Sequence, residues 1–181
     1  MLHKAIQQFL EDVEWGDLDY LLLDLPPGTG DVSMTLAQLL PQAKVLVVTT
    51  PQPAAQSVAR RAAEMAAKVD LELLGVIENM SGFTAPGGER FTIFGEGGGQ
   101  LLADELDVPL LGKVPLEQEL REHSDAGLVT DQPDAPASQA IRAAAHGIVA
   151  ATPQELPVMQ APPAAVAAAA PVGGTELPVV Q

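Results

Sequence analysis

A lone carboxylate and a glycine-rich loop follow the first apolar run of this 181-residue chain. Tyr20–Leu23 contains no polar residue other than the tyrosine hydroxyl, Asp24 follows it, and residues 26–31 read Pro-Pro-Gly-Thr-Gly-Asp. Such a run is typical of a strand buried in a parallel sheet, which would place Asp24 at the edge where open α/β sheets bind ligands. A carboxylate there can hold Mg²⁺ through its water shell, and Gly28 and Gly30 allow the backbone to approach a phosphate.

The same segment also has a purely structural interpretation. Apolar strands that end in an aspartate are common, and the aspartate often only caps a loop or helix. The dense Pro-Pro-Gly-Thr-Gly loop favours ligand binding, because a structural turn needs only one glycine or proline. No Gly-x-x-x-x-Gly-Lys-Ser/Thr loop, which would cradle phosphates and supply a lysine, occurs in the chain. Since only Met1–Leu18 precede the strand region, we expect a domain that is incomplete at its N-terminus.

Composition argues against several classes of function. The net charge of −15 repels phosphate backbones, so we expect neither nucleic acid nor an anionic membrane as a partner. The chain has no cysteine, and therefore cannot form a disulfide or supply a thiolate to a metal. Met1–Leu10 lacks the apolar core of a signal peptide, which favours a cytoplasmic location.

The hydrophobic pattern predicts alternating strands and helices along residues 1–151. After the strand at Tyr20–Leu23, the predicted strands are Lys44–Thr50, Leu73–Glu78 and Pro109–Val114. The predicted helices are His3–Glu14, a helix capped by Asp31 and stopped by Pro41, Ala54–Val69, Gln100–Leu106, Leu116–Ser124 and Ser138–Ala150. The alternation implies an α/β fold with a mostly parallel sheet and helices on both faces.

Two segments depart from this pattern. Ser81–Gly99, called the excursion below, combines glycines with three phenylalanines and predicts an ordered insertion rather than a linker. Residues 152–181 are rich in proline and alanine and almost free of charge, which predicts a disordered tail. The acidic residues around the helix at Leu116–Ser124, including Glu117, Glu119 and Glu122, are expected to form a solvated face.

Five motifs occur in an order that resembles the Mrp/ApbC family, ATPases that carry iron-sulfur clusters and are related to the MinD and ParA switches. The resemblance covers about Met1–Thr130 and depends on Asp-Leu-Pro-Pro-Gly-Thr-Gly-Asp at 24–31, Val-Val-Thr-Thr-Pro-Gln at 47–52, Gly-Val-Ile-Glu-Asn-Met-Ser at 75–81, Phe-Gly-x-Gly-Gly at 94–98 and Leu-Leu-Gly-x-Val-Pro-Leu at 110–116. It implies a P-loop NTPase-like fold, ATP and Mg²⁺ as cofactors, a homodimer when full-length, and apo iron-sulfur proteins as recipients.

The resemblance assigns catalytic roles to two residues. Asp24 would be the Walker B carboxylate that orders Mg²⁺ and the attacking water. Gly28 would be the switch glycine whose N–H approaches the γ-phosphate. Because phosphoryl transfer depends mainly on positioning and electrostatics, both residues would act by placing the metal and the water.

The resemblance also assigns a nucleotide pocket. Asn79 would bind the adenine edge, since its amide supplies both a donor and an acceptor. Pro115 would lie in the loop that covers the base, and Thr50 and Pro51 would shape the pocket. Each residue has a structural alternative: Asn79 as a strand cap, Pro115 as a turn proline, and Thr50 and Pro51 as turn residues.

Two departures from the family pattern leave the function open. The phosphate-binding loop is absent, so an ATP hydrolase is expected to be inactive as this chain alone. Ala85 and Gly88 stand where cluster-carrying relatives often have a Cys-x-x-Cys pair, so the chain has no iron-sulfur ligands. The leading hypothesis is an ATP-dependent iron-sulfur carrier; the alternatives are a nucleotide-dependent dimerisation switch without a cluster, and a non-catalytic remnant.

Overall fold

The computed structural model describes residues 2–25, 30–123 and 127–152 of the chain. Its helices are α1 (Leu2–Glu11), α2 (Gly30–Leu39), α3 (Pro53–Lys68), α4 (Gly98–Leu106), α5 (Gln118–His123), α6 (Leu128–Asp131) and α7 (Pro136–Ala151). Its strands are β1 (Lys44–Thr49), β2 (Glu72–Glu78), β3 (Phe83–Thr84), β4 (Arg90–Phe91) and β5 (Leu110–Lys113). Gly28 and nearly all of the predicted tail lie outside the described residues. None of the described helices is both long enough and apolar enough to span a membrane.

Three strands form a parallel sheet in the order β1-β2-β5. All three strands are mainly apolar, and β1 and β2 also carry β-branched residues, which favours extended backbone that is covered on both faces. In register, Thr49 lies beside Glu78, and Glu78 lies beside Lys113. The carboxyl ends of the three strands therefore meet at one edge, as the predicted α/β fold requires, and the parallel sheet is confirmed.

Aliphatic and alanine side chains pack α3 and α4 against one face of the sheet. The buried cluster consists of Val47, Ala59, Ala63, Val76, Leu102 and Ala103. Alanines at 59, 63 and 66 are all buried, so the surface of α3 that faces the core is nearly smooth and the helix can approach the strands closely. With only 3% aromatic residues in the chain, close approach of small side chains takes the place of large rings.

The opposite face of the sheet is covered by α7. Ile77 follows Val76 and lies beside Gly112 of β5, and successive strand residues point to opposite faces. Val76 belongs to the cluster under α4, whereas Gly112 faces Ala144 of α7. Helices on both faces, as predicted from the alternating pattern, are thus present.

One predicted strand is wrong. Residues 20–25 have no regular secondary structure, and every side chain from Tyr20 to Leu25 is exposed, Leu22 by 82%. The apolar run predicts burial, but a strand exists only where a neighbouring strand pairs with its backbone. Within the part of the chain that the structure describes, β1 pairs with β2 alone, and the run 20–25 does not extend the sheet.

Smaller differences have local causes. The excursion contains an antiparallel hairpin of β3 and β4 rather than only loop, with Phe83 beside Phe91. Helix α2 begins at Gly30, so Asp31 lies in its first turn instead of capping it. Glu117 is half-buried rather than fully solvated, because its Oε2 accepts a hydrogen bond from the Ala137 N–H at 3.1 Å in the first turn of α7. An acid at that position also interacts favourably with the helix dipole.

We expect Gly112→Ala to lower the free energy of unfolding by about 1–3 kcal/mol. An ideal Cβ at position 112 would lie 2.7 Å from the Ala144 Cβ and 3.3 Å from its Cα, so α7 would have to move away from β5. Urea denaturation followed by circular dichroism measures the change. Gly87→Ala is the matched control, since no atom lies within 4 Å of a Cβ there, and its effect should stay within about 0.5 kcal/mol. Equal effects of the two substitutions would contradict the close packing of α7 on β5.

Candidate functional site

The carboxyl edge of the sheet brings together four of the residues singled out from the sequence. The Asn79 N–H donates to the Thr49 carbonyl oxygen at 2.7 Å, which places Asn79 beside Thr50 and Pro51. The Val114 N–H donates to the Glu78 carbonyl oxygen at 2.8 Å, which places Pro115 on the other side of the same strand end. Adjacent parallel strands thus assemble Thr50, Pro51, Asn79 and Pro115 at the edge where α/β sheets bind ligands.

Asn79 has an amide that is held in place and is half-buried at this edge. Its Oδ1 accepts a hydrogen bond from the Met80 N–H at 2.9 Å, and Met80 adopts a left-handed backbone conformation with φ of 56°. A non-glycine residue at such a φ is uncommon and is held there by its surroundings. The Asn79 Nδ2 group makes no hydrogen bond to any described residue, so it can donate to a ligand.

Thr50 and Pro51 belong to the short loop between β1 and α3. Pro51 is buried, and its carbonyl oxygen accepts a hydrogen bond from Gln56 Nε2 at 2.8 Å. Thr50 Oγ1 lies 3.4 Å from Gln52 Oε1, a long contact. These contacts are those of turn residues, so the structure places Thr50 and Pro51 beside Asn79 and leaves any ligand contact of theirs a prediction.

Sequence reasoning missed Glu78 as a site residue. Its side chain is completely buried at the end of β2, where Oε2 accepts from the Gly99 N–H and Oε1 from the Ser81 hydroxyl, each at 2.5 Å. An acid at the end of an apolar strand is by itself a weak signal. A stronger signal in the sequence is the run Gly97–Gly99 at the start of α4, because a helix that begins without side chains predicts that another group approaches its backbone closely.

Asp24 and Gly28 are not brought to this edge by any described contact. Asp24 is exposed in the irregular segment 20–25, and Gly28 lies outside the described residues. The catalytic roles that the resemblance assigns to them therefore stay predictions.

The residues present fit the base of a nucleotide better than they fit its phosphates or a metal cluster. The half-buried Asn79 amide and the flanking Pro51 and Pro115 suit a planar heterocycle with donor and acceptor atoms. In residues 2–25, 30–123 and 127–152, no group of three or more His, Asp or Glu side chains has the spacing of a metal site. Ala85 and Gly88, the positions of the expected cysteine pair, lie in the hairpin turn, where the Gly88 N–H donates to the Ala85 carbonyl at 2.8 Å.

Two of the described acidic residues that follow β5 have contacts of their own: Glu117 accepts a hydrogen bond at the start of α7, and Glu122 lies on α5. On α5, hydrogen bonds from Gln118 and then from Arg121 lower the pKa of Glu122, whose carboxylate is exposed to solvent. This carboxylate stays charged to lower pH than an isolated one, and it lies on the outer face that the sequence predicted as solvated.

Comparison with known proteins places this arrangement in a family. A family profile described as ParA, NUBPL iron-transfer P-loop NTPase, matches residues 1–160. The iron-sulfur cluster carrier protein of Mycobacterium tuberculosis H37Rv is 53% identical over 156 residues, covering 82% of this chain and 41% of that protein. The carrier protein of Deinococcus radiodurans is 45% identical over 170 residues, covering 88% of this chain and 48% of that protein. The chain thus spans less than half the length of these relatives.

Solved structures agree on the fold. A nucleotide-binding protein from Archaeoglobus fulgidus, solved in complex with ADP, has a TM-score of 0.63 and 37% identity, covering 75% of this chain and 56% of that one. MinD from Aquifex aeolicus has a TM-score of 0.58 at 23% identity, covering 87% and 62% of the two chains, which is a likeness of fold alone. From its parallel sheet, its ordered series of motifs and these matches, the chain belongs to the NUBPL/ParA family of iron-transfer P-loop NTPases.

Proposed function

We propose that residues 1–151 form the adenine side of an ATP-binding iron-sulfur cluster carrier, with residues 152–181 as a tail outside the folded domain. The observation that carries the proposal is the convergence of Asn79, Thr50 and Pro115 on one sheet edge, joined through the Asn79–Thr49 backbone hydrogen bond of 2.7 Å. The names of the relatives support the carrier role, and the ADP-bound archaeal structure supports a nucleotide at this fold.

In this proposal Asn79 identifies the base. Its Nδ2 donates to an acceptor on the adenine edge, while Oδ1, already bonded to the Met80 N–H, has a second lone pair for a donor. Pro51 and Pro115 exclude water from the two sides of the ring. A half-buried amide in a fixed rotamer loses little entropy when it binds, so it favours adenine over a base with a different edge.

Asp24 and Gly28 are proposed to act at the phosphates. Asp24 would hold the water shell of Mg²⁺, and the Gly28 N–H would approach the γ-phosphate. When bound, ATP would supply the γ-phosphoryl group, which would pass to water and leave ADP. The chain contains no Gly-Lys-Ser/Thr loop, so these residues alone do not hold the β- and γ-phosphates in line for transfer.

The iron-sulfur cluster is cargo in this proposal, passed to apo iron-sulfur proteins. Because clusters are held by thiolates and the chain has no cysteine, the ligands must come from outside residues 1–181. A homodimer is proposed as the unit that holds the cluster, since two subunits would each contribute ligands.

A nucleotide-dependent dimerisation switch without a cluster is the second candidate. The observation that favours it is the hairpin turn itself, which has Ala85 and Gly88 in place of the expected cysteine pair. A non-catalytic remnant is the third candidate, favoured by the exposure of the apolar run at 20–25. An exposed apolar patch of this kind promotes aggregation.

We expect the 181-residue chain to bind ADP and Asn79→Asp to weaken that binding by about tenfold or more, because a donor to the base is lost and a charge is added. The substitution keeps the oxygen that bonds the Met80 N–H, so the backbone should stay in place. Isothermal titration calorimetry measures the dissociation constant. Gln42→Glu is the matched amide-to-acid control, because Gln42 is exposed in the turn at the opposite end of β1. Absence of ADP and ATP binding by the unmodified chain would contradict the adenine-side proposal.

We expect the isolated chain to hydrolyse no ATP above the buffer rate, with or without Mg²⁺. No phosphate-binding loop is present to align the γ-phosphate, so positioning of the reacting groups is lost. Release of inorganic phosphate over hours is the measurement. Mg²⁺-dependent release that Asp24→Asn abolishes and Asp19→Asn retains would overturn this expectation and make Asp24 catalytic without that loop.

We expect the native polypeptide that carries this sequence, purified from its source and reconstituted anaerobically with iron and sulfide, to bind a cluster. Thiolate-to-iron absorption and equal amounts of iron and sulfide would report the cluster. Intact mass on the same sample, compared with 18.8 kDa, would show whether the native polypeptide has residues beyond these 181 that could supply the ligands. The 181-residue chain treated identically should bind none, since it has no thiolate. Failure of the native polypeptide to bind a cluster while it still binds ATP would favour the dimerisation switch.

A further inference from the structure

Glu78 is a fully buried acid that the proposed function does not use. Its relative exposure is 0%, and it stands at the last position of the central strand β2, between Thr49 of β1 and Lys113 of β5. Burying an acid is unfavourable unless hydrogen bonds replace its water. An acid buried at the centre of the sheet edge therefore needs hydrogen-bond donors, and the segments that supply those donors indicate its structural role.

The two oxygens of Glu78 bond to opposite ends of the excursion. Oε1 accepts from the Ser81 hydroxyl at 2.5 Å, where the excursion leaves β2. Oε2 accepts from the Gly99 N–H at 2.5 Å, where the excursion returns as the first turn of α4. A single side chain thus bonds to both ends of the segment that contains the hairpin β3–β4. The start of this segment is also held by backbone hydrogen bonds, from the Ser81 N–H to the Val114 carbonyl at 2.9 Å and from the Leu116 N–H to the Gly82 carbonyl at 2.8 Å. Its charge at the N-terminus of α4 also interacts favourably with the helix dipole.

The hydrogen bond between Glu78 and Gly99 also positions α4 next to the β1–α3 loop, which lies beside Asn79. An ideal Cβ at Gly99 would lie 2.6 Å from the Glu78 Cβ, so only glycine allows this approach. Gly98, the preceding residue, is buried against the Pro51 backbone, and the Pro51 carbonyl is fixed by Gln56. Glu78 therefore holds the start of α4 against the β1–α3 loop, on the same edge where Asn79 follows it in sequence.

We propose that Glu78 is a positioning residue that fixes the nucleotide edge and the excursion to one another. Its hydrogen bond with Ser81 fixes the backbone that follows Asn79, and its hydrogen bond with Gly99 holds the first turn of α4 against Pro51. Adenine bound at Asn79 would then stabilise the closed base of the excursion, and the Glu78 carboxylate would transmit this effect to the hairpin. The nucleotide part rests on the proposed function; the closing of the excursion by Glu78 does not.

Three variants separate charge, hydrogen bonding and packing. Glu78→Gln can accept from the Gly99 N–H and donate to the Ser81 hydroxyl, so it preserves both links without charge. Glu78→Ala removes both links, and Ser81→Ala removes only the Oε1 link with little change in volume. Glu64→Ala is the matched control, because Glu64 is exposed on α3. The readouts on the 181-residue chain are amide hydrogen exchange with and without ADP, and the dissociation constant for ADP.

Without nucleotide, Glu78→Ala should speed exchange of residues 81–99 by about tenfold or more, while amides of α7 keep their rates. Ser81→Ala should speed exchange within residues 81–97 by a smaller factor. Glu78→Gln and Glu64→Ala should stay within about threefold of the unmodified chain. ADP should slow exchange of the excursion in the unmodified chain and in Glu78→Gln, but not in Glu78→Ala, whose dissociation constant should rise about tenfold.

Several outcomes would overturn the proposal. The first is that residues 81–99 exchange no faster in Glu78→Ala than in Glu64→Ala. The second is that Glu78→Ala speeds exchange in α7 as much as in the excursion, which would mean that Glu78 only stabilises the core. If Glu78→Ala fails to fold, unchanged excursion exchange in Ser81→Ala would overturn it. If the unmodified chain binds no ADP, the proposed function fails, and exchange without nucleotide still decides whether Glu78 closes the excursion.

Discussion

The buried carboxylate of Glu78 is the constraint on which the carboxyl edge of this structure depends. Removing an acid from water costs several kcal/mol unless donors replace the lost hydration. Here the replacements are the Gly99 N–H, the Ser81 hydroxyl and the positive end of α4. The two hydrogen-bond donors belong to different segments, so satisfying one side chain at the end of β2 fixes both the start of the excursion and the start of α4.

That constraint explains the glycines around the edge. A side chain at Gly99 would collide with Glu78, and one at Gly98 with the Pro51 backbone. On the other face of the sheet Gly112 meets Ala144 in the same way, so α7 also approaches the strands at backbone distance. A chain with few aromatic rings can reach native packing density by such close approach, and its tolerance for added methyl groups is correspondingly small.

The sequence predicted the architecture better than it predicted the site. Strands at Lys44–Thr49 and Glu72–Glu78 were readable because they are apolar runs joined by one helix, which is βαβ spacing, and parallel strand ends must share an edge. The pocket of Asn79, Thr50 and Pro51 at that edge was implied by the family resemblance. The strand predicted at Tyr20–Leu23 is wrong because hydrophobicity predicts burial, while strand pairing depends on a neighbouring strand that the pattern does not contain.

The role of Glu78 could not be predicted from the sequence, because one of its hydrogen-bond partners is distant along the chain. Its partners Ser81 and Gly99 are 3 and 21 residues away, and only the folded excursion brings the second one close. Glu117 repeats the pattern, since it bonds the Ala137 N–H 20 residues further along the chain. In both cases an acid at or just beyond the end of a β-strand holds the start of a later helix, which short motifs do not show.

The position of the hairpin follows from the same contacts. The turn containing Ala85 and Gly88 projects from a segment whose two ends are tied to a single side chain at the nucleotide edge. A rearrangement at Asn79 that displaced Glu78 would disturb both hydrogen bonds at once, because one carboxylate makes them. In the proposed carrier, this gives a route from the nucleotide edge to the hairpin turn that contains Ala85 and Gly88. In the switch alternative, the same route would end at an exposed hairpin without thiolates.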